Sequence, residues 1–423
     1  MGDERATRKL RIAAEPTMDA GDVQAYGGRG GSASGVTPQR QHQEQCLIPG
    51  LNNDLALECL VRVPREYHFQ MKCVSRGWRS LLRGDDFYSH RARNRLTEYW
   101  IYVLTYERNE PKNTWQAYDP RCVRWHKLPD MPETYRSALG LRAAVLHNML
   151  FVFGGKEGMA KKEVEGLWKF DPRTLEWSMG ARMLNPRAHF ASAVVNGSLF
   201  VAGGFGADGK MLNSAEVYNP LEDSWQAIEP MAKPMAWCHG LGLRGCFYVR
   251  DKCPPSCGPG PVRVIVYDTA TRTWLDVKDS AIVKGWRGAT AVADGRVYVT
   301  NQYEMYCLKV FEPEMKCWIQ APGIDRLFLS CYSKKQKPPF KLAGFDGKIV
   351  AAGRGPTLTI IDVRKAMETR RNGGGGAEDG EEGVVEVADN TALWSTVWLS
   401  GDSNWEASDN RLDTVESVQV IGL

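Results

Sequence analysis

Residues 196–204 read NGSLFVAGG, and residues 218–225 read YNPLEDSW. The first segment opens with Asn196-Gly197, a turn pair that readily takes positive φ, and runs through an apolar strand into a double glycine. The second joins an aromatic residue, Tyr218, to a tryptophan seven positions later, Trp225. The same interval recurs at Tyr118/Trp125, Phe170/Trp177, Tyr267/Trp274 and Phe311/Trp318. A polar residue follows each aromatic (Asp119, Asp171, Asn219, Asp268, Glu312), and in four of the five a proline follows that. Successive tryptophans stand about 50 residues apart, the spacing of a repeated supersecondary unit.

Outward from this stretch the pattern has period two with hairpin punctuation. Asp294-Gly295 and Asp346-Gly347 repeat the turn pair, and Arg244-Gly245 and His147-Asn148 occupy equivalent places. Short apolar strands follow, at 150–153, 199–202, 246–249 and 296–299, and two of them end in Gly154-Gly155 and Gly203-Gly204. A glycine pair there is expected to allow close backbone packing near the axis of a closed ring.

Together the double glycines, the aromatic-polar-proline triplets and the spaced tryptophans resemble the kelch repeat across residues 97–423. The resemblance implies an all-β propeller of six blades. Blades two and three carry the whole motif. Arg250-Asp251 and Thr300-Asn301 replace the glycine pair in blades four and five, whose inner strands are therefore expected to be irregular. In blade six Ile361-Asp362 replaces the aromatic pair, and Trp394 is the expected displaced tryptophan. Blade one lacks an opening hairpin, and an open edge invites pairing with other chains. The C-terminal segment Val415–Gly422 is expected to supply the missing strand. The repeated tryptophans are expected to pack the outer strands, since large aromatics dominate such cores.

Residues 45–96 change to a helical pattern. Asn52, Asn53 and Asp54 offer N-caps and early negative charge, and Leu57, Leu60 and Val61 make one apolar stripe. Pro64 ends that helix. A second run holds Phe69, Met71 and Val74, and a third holds Trp78, Leu81 and Leu82. Ile48-Pro49, Asp54-Leu55, Leu60 with Val63-Pro64, Val74 through Trp78-Arg79, Leu81 and Phe87 make the segment resemble an F-box. Asn52 and Ser75 stand where that family usually carries proline and cysteine. Three short helices bury little area alone, so a partner for their apolar face is expected. By resemblance Pro49, Leu51, Leu55, Leu60, Pro64, Val74, Trp78 and Leu81 fall in the motif that docks a Skp-family adaptor. The F-box-then-kelch order resembles the plant F-box/kelch-repeat proteins.

Composition bounds the remainder. Net charge is +4 with both signs mixed, unlike a nucleic-acid binder. No apolar run reaches the roughly 18 residues of a membrane span. The N-terminus has neither a signal-peptide layout nor a myristoylation pattern, and the 11 scattered cysteines suit reduced thiols in cytoplasm or nucleus. Residues 1–44 are polar and Gly-rich and read as a disordered tail. The run at 370–383, with Gly373–Gly376 and then acidic residues, reads as a solvated loop interrupting the sixth repeat.

No cofactor or metal is expected. Cys253 and Cys257, with Cys238-His239 upstream, are the one close thiol arrangement, and the prolines between them suit an ordinary loop. No phosphate loop or nucleophile motif occurs, so the chain is expected to be no enzyme. Propeller loops carry recognition because rigid strands hold them. Aligning blades on their turn glycines puts His189, Trp237 and Arg287 at equivalent positions, with Arg136 and Arg187 two residues earlier in their own blades. Lining a channel mouth, they would suit an acidic or phosphorylated peptide, whereas arginines spent on salt bridges between blades would not. The reading is an α+β multidomain chain: a substrate receptor of a Skp–cullin–F-box ubiquitin ligase, or alternatively a kelch scaffold that does not direct degradation.

Overall fold

The computed structural model describes residues 46–423 apart from 108–110, 158–163, 165, 252–262, 278–280, 287, 301–307, 313, 322–336, 355–356, 373–393 and 399–413. The tail at 1–44, the acidic run from Gly373, Arg287, Cys253 and Cys257 thus lie outside the described residues. After a helical module at 53–93 the chain forms six four-stranded antiparallel sheets. Blade three is representative, with strands Ala191–Val195, Ser198–Ala202, Ala215–Asn219 and Ser224–Ile228 in sequential order. Neighbouring innermost strands contact one another around a closed ring of six.

The spacing of seven is a register. Tyr118 faces Trp125, Phe170 faces Trp177, Tyr218 faces Trp225, Tyr267 faces Trp274, and Phe311 faces Trp318 across the two outer strands. Ring centroids in these pairs lie 5.0 to 5.3 Å apart and tilted. In blade six Ile361 faces Trp394 in the same register, despite the long insertion between them. Four of the indoles also donate to the linker leading into their own blade. Trp177 Nε1 reaches the Pro129 carbonyl at 3.1 Å, Trp225 reaches Ala181 at 3.0 Å, Trp274 reaches Glu229 at 2.5 Å, and Trp318 reaches Ala281 at 2.9 Å.

The hairpin signals are all realised, with both turn residues at positive φ in His147-Asn148, Asn196-Gly197, Arg244-Gly245, Asp294-Gly295 and Asp346-Gly347. The glycine pairs allow close backbone packing, as expected, at the loops that join the blades. Gly203 and Gly204 sit at φ +66° and +93° after the second strand, against Ala188 and Phe190 at the entry to the innermost one, and the Gly204 amide donates to the Met235 carbonyl at 2.8 Å. They fasten the loop that leads into the next blade. A Cβ on Gly204 would lie 2.6 Å from the Ala188 carbonyl oxygen, so a larger residue cannot take this turn.

Two expectations are corrected. Blades four and five lack the pair, yet their inner strands are regular, with His239–Leu243 paired to Cys246–Arg250 and Thr290–Ala293 to Arg296–Thr300 without a shift. Losing a loop fastener does not disturb a strand ladder. Arg370–Asn372, read as the start of a loop, end a helix, Val363–Asn372.

Blade one closes by the last strand of the chain. Thr414–Gly422 pairs antiparallel with Tyr99–Glu107, placing Ile421 opposite Trp100 and Val418 opposite Val103. Val415 and Val418 pack with Ile101, Val103 and Val350, a cluster shared by blades one and six. Deleting residues 414–423 leaves the first strand with an open edge and removes that seam. The expected result is loss of the single cooperative melt and of solubility, followed by circular dichroism; a soluble truncation with an unchanged melting point would overturn the closure.

Candidate functional site

The helical module comprises α1 (Asn53–Leu60), a short turn at Arg65–Tyr67, α2 (His68–Val74), α3 (Arg76–Leu81) and α4 (Asp85–Arg93). Asn52 caps α1, its side-chain oxygen accepting from the Leu55 amide at 2.8 Å, and Ser75 caps α3 by accepting from Trp78 at 3.1 Å. Both departures from the family pattern therefore work as caps. The sequence reading missed α4. Its signal was Asp85 and Asp86 at one end with His90, Arg91 and Arg93 at the other, charges that suit a helix dipole.

The propeller itself buries one face of this module. Leu60, Val61, Met71, Leu82 and Phe87 share a core with Tyr102, Trp115, Phe170 and Ile421 of blades one and two. The buried Arg91 guanidinium donates to the Val61 and Val63 carbonyls at 2.5 and 2.8 Å and pairs with Glu98 at 2.7 Å. Leu60, expected to meet an adaptor, is 3% exposed and belongs to this core. Trp78 and Leu81 are half-buried against the same core, and Trp78 Nε1 donates to the Leu47 carbonyl at 2.7 Å. Pro64 is half-buried where it begins the Arg65–Tyr67 turn.

The outward face keeps the others. Pro49, Leu51, Leu55 and Val74 are exposed, Leu55 at 55% and Val74 at 63%. Phe69, exposed to 61%, and Tyr67 are also exposed, but they border a cavity between this module and the propeller. Phe69 and Met71 are two residues apart, about 200° around a helix, so a single stripe cannot bury both. Met71 and His68 take the inside.

At the propeller end where the innermost strands begin, His189 and Trp237 occupy equivalent positions, both in the left-handed region at φ +56° and +54°. Their rings lie 3.8 Å apart, and Phe205 stands edge-on to each. Trp237 is 48% exposed, and Met211, which pairs with Phe205 through a backbone bridge, is exposed too. Consecutive blades are laced by backbone bonds here: the His189 amide donates to Gly140 at 3.0 Å, and the Cys238 amide donates to His189 at 3.1 Å.

Arg187 is not at the surface. Its side chain is fully buried against Glu216 at 2.6 Å and donates to the Gly203 and Ser214 carbonyls. Glu216 in turn accepts from the Leu184 and Asn185 amides, so the pair knits the loops of blade three together. This contact lies within a blade. Arg136 is half-exposed, 3.8 Å from Asp130. Arg142, the first residue of blade two's innermost strand, lies near this end as a largely buried cation and donates to the Phe190 and Cys238 carbonyls at 2.8 and 3.1 Å. Its place at that strand start was a signal the sequence offered. Burial pushes the Cys238 thiol up to about 12, which makes it a packing residue. Among the described residues no three His, Cys, Asp or Glu side chains are grouped to hold a metal.

These two surfaces can hold partners by shape and apolar contact. Comparison with known families agrees with the partition. An F-box domain model matches residues 48–90, and a kelch motif model matches 138–184 and 186–232. The Arabidopsis thaliana F-box/kelch-repeat protein At1g16250 is 40% identical over 49% of this chain and 56% of its own length. F-box/kelch-repeat protein SKIP30 of the same plant is 33% identical over 62% of this chain and 73% of that protein. F-box/kelch-repeat protein At1g22040 is 30% identical over 78% and 82% respectively. With a helical module docked on a six-bladed ring and relatives 33% and 30% identical over 73% and 82% of their own lengths, the chain belongs to the F-box/kelch-repeat family.

Proposed function

We propose that this chain is the substrate-recognition subunit of a Skp–cullin–F-box ubiquitin ligase. The observation that carries the reading is the split of the F-box: one face is consumed by the propeller, while Leu51, Leu55, Phe69 and Val74 stay in solvent. Apolar side chains gathered on an otherwise folded module mark a partner surface. An F-box indicates a Skp-type adaptor as that partner, and a kelch ring indicates a protein target. Ubiquitin transfer is then chemistry of other subunits, and this chain contributes proximity by raising the target's effective concentration. The reading places it in cytoplasm or nucleus, where such ligases work.

The target surface is the aromatic end of the ring. Trp237 supplies a half-exposed anchor over His189, and Arg142 donates to the carbonyl of the neighbouring Cys238. Interfaces concentrate their energy in such aromatic and arginine anchors.

The adaptor test uses exposed positions, because Leu60 substitutions act on the core. Leu55→Asp combined with Val74→Asp is expected to abolish co-purification with a Skp-family adaptor while leaving the melting point unchanged. Retained adaptor binding by a folded double variant would remove the receptor reading. Leu60→Ala should instead cost about 2–5 kcal/mol of stability, as a core truncation does.

At the other end, Trp237→Ala should leave the melt intact and release proteins captured by the wild-type ring. Arg187→Met strands Glu216 in the interior and should destabilise by about 3–5 kcal/mol, seen in denaturant titration. Equal effects of the two changes on stability would contradict the division of roles.

A further inference from the structure

The seam between the F-box and the propeller is not filled. Between the Arg65–Tyr67 turn, α2 and the outer strands of blades one and two lies a cavity of about 500 Å³. Small-molecule sites run from roughly 300 to 1,000 Å³. Five cations line it, Arg65, Lys72, Arg124, Lys127 and Arg173, with Glu66 as the acidic side chain among them. Arg173 is neutralised by Asp171 at 2.9 Å and by Asp85, and the Lys72 ammonium donates to the Arg173 carbonyl.

Arg65 is different. It is 6% exposed, and its guanidinium donates to Tyr102 Oη at 2.7 Å and to the Ile421 carbonyl at 3.3 Å while lying 4.2 Å over the Trp100 ring. Glu98, the acid nearest its backbone, is shared by Arg91 and Arg121. Among the described residues no carboxylate pairs with the Arg65 side chain. A buried cation bonded only to neutral groups is costly, and an anion in the adjoining cavity offsets that cost. Arg124 and Lys127, both exposed, add positive charge at the rim.

The packing behind this wall also leaves polar atoms unpaired. His68 Nδ1, Trp100 Nε1 and His126 Nε2 are buried polar atoms without a partner, and all three residues line this cavity. Native interiors leave few such atoms unsatisfied. His68 is 4% exposed, and its Nε2 meets the Val63 carbonyl at 3.1 Å, so Nε2 carries the proton and Nδ1 is left as an acceptor. Burial holds His68 down at about 3 and also lowers His126, so both rings are neutral near pH 7. The electrostatic work therefore falls on Arg65 and the rim. Elsewhere the wall is apolar, formed by Tyr88, Leu128, Phe170, Pro172 and Leu175.

We infer that this cavity binds a small organic anion: one acidic group for Arg65, Arg124 and Lys127, and a flat apolar body for the ring-lined wall. The site goes beyond the receptor reading and stands without it. Its walls belong to α2, including Phe69, and to blades one and two, and α2 also carries the exposed Val74. Occupancy would tie the adaptor face to the propeller and stabilise the pair of parts by mass action.

The test is titration calorimetry and thermal melting of the full chain with biphenyl-4-carboxylate, against 4-phenylphenol and inorganic phosphate. One carboxylate should bind per chain, raise the melting point and quench tryptophan fluorescence, with both controls weaker by about tenfold or more. Arg124→Ala with Lys127→Ala, both at exposed positions, should weaken the carboxylate by about tenfold without changing the melt of the free protein. No binding at millimolar carboxylate, equal affinity for the phenol, equal affinity for phosphate, or a double variant that binds as wild type would each overturn the inference, the first by leaving the cavity to water.

Discussion

The pairing of an aromatic residue with the tryptophan opposite it on the next strand is the interaction on which the propeller depends. Each tryptophan is used twice. Its ring packs on the facing aromatic at about 5 Å, and its indole nitrogen, in four blades, holds the linker that enters the blade. An aromatic pair contributes about 0.5–1.5 kcal/mol beyond its buried area, and the hydrogen bond about as much again. The larger effect is geometric. Fixing the linker sets where the next innermost strand begins, so the same residue that packs an outer strand also spaces the ring.

That spacing makes closure a demand on the whole chain. Innermost strands pack closely enough that Gly240 and Gly242 run against the Ser192 and Val194 carbonyls, where any side chain would collide. A ring this tight tolerates no missing member. The C-terminal strand completes blade one, and its Ile421 carbonyl then accepts from Arg65 of the F-box. Closure and F-box placement thus share one strand, and loosening either loosens both.

Legibility in the sequence followed locality. The interval of seven is set by a single hairpin, so Tyr218 and Trp225 announce their own contact. Trp394 could be placed opposite Ile361 despite the insertion because the outer strand must present its tryptophan at that register. The closing strand was legible for a different reason, since blade one lacked one and the ring forbids an open edge. Non-local facts were not legible. Leu55 and Leu60 both fit the docking pattern, and only the propeller packed against α1 decides that Leu60 is core and Leu55 is not. Arg187 and Arg142 carry the same charge, but Glu216, brought in by a strand of the same blade, takes Arg187 inside. No pattern of spacing shows a guanidinium which carboxylate it will meet.

The same packing bears on how a receptor of this shape would act. A target held by the ring gains from proximity only while the span to the adaptor face stays fixed. A flexible linker would spread that span over many lengths. Here only a few residues separate α4 from the first strand, and Arg91 pairs with Glu98 across them. Arg65 reaches Tyr102 and Ile421, and Leu60, Phe87 and Phe170 pack together in one core. Breaking this seam would expose both apolar surfaces and strand two buried arginines, a cost well beyond that of a surface contact. The F-box is therefore a fixed extension of blades one and two. Its outward leucines and the aromatic end of the ring belong to one compact unit, which suits the delivery by proximity proposed above.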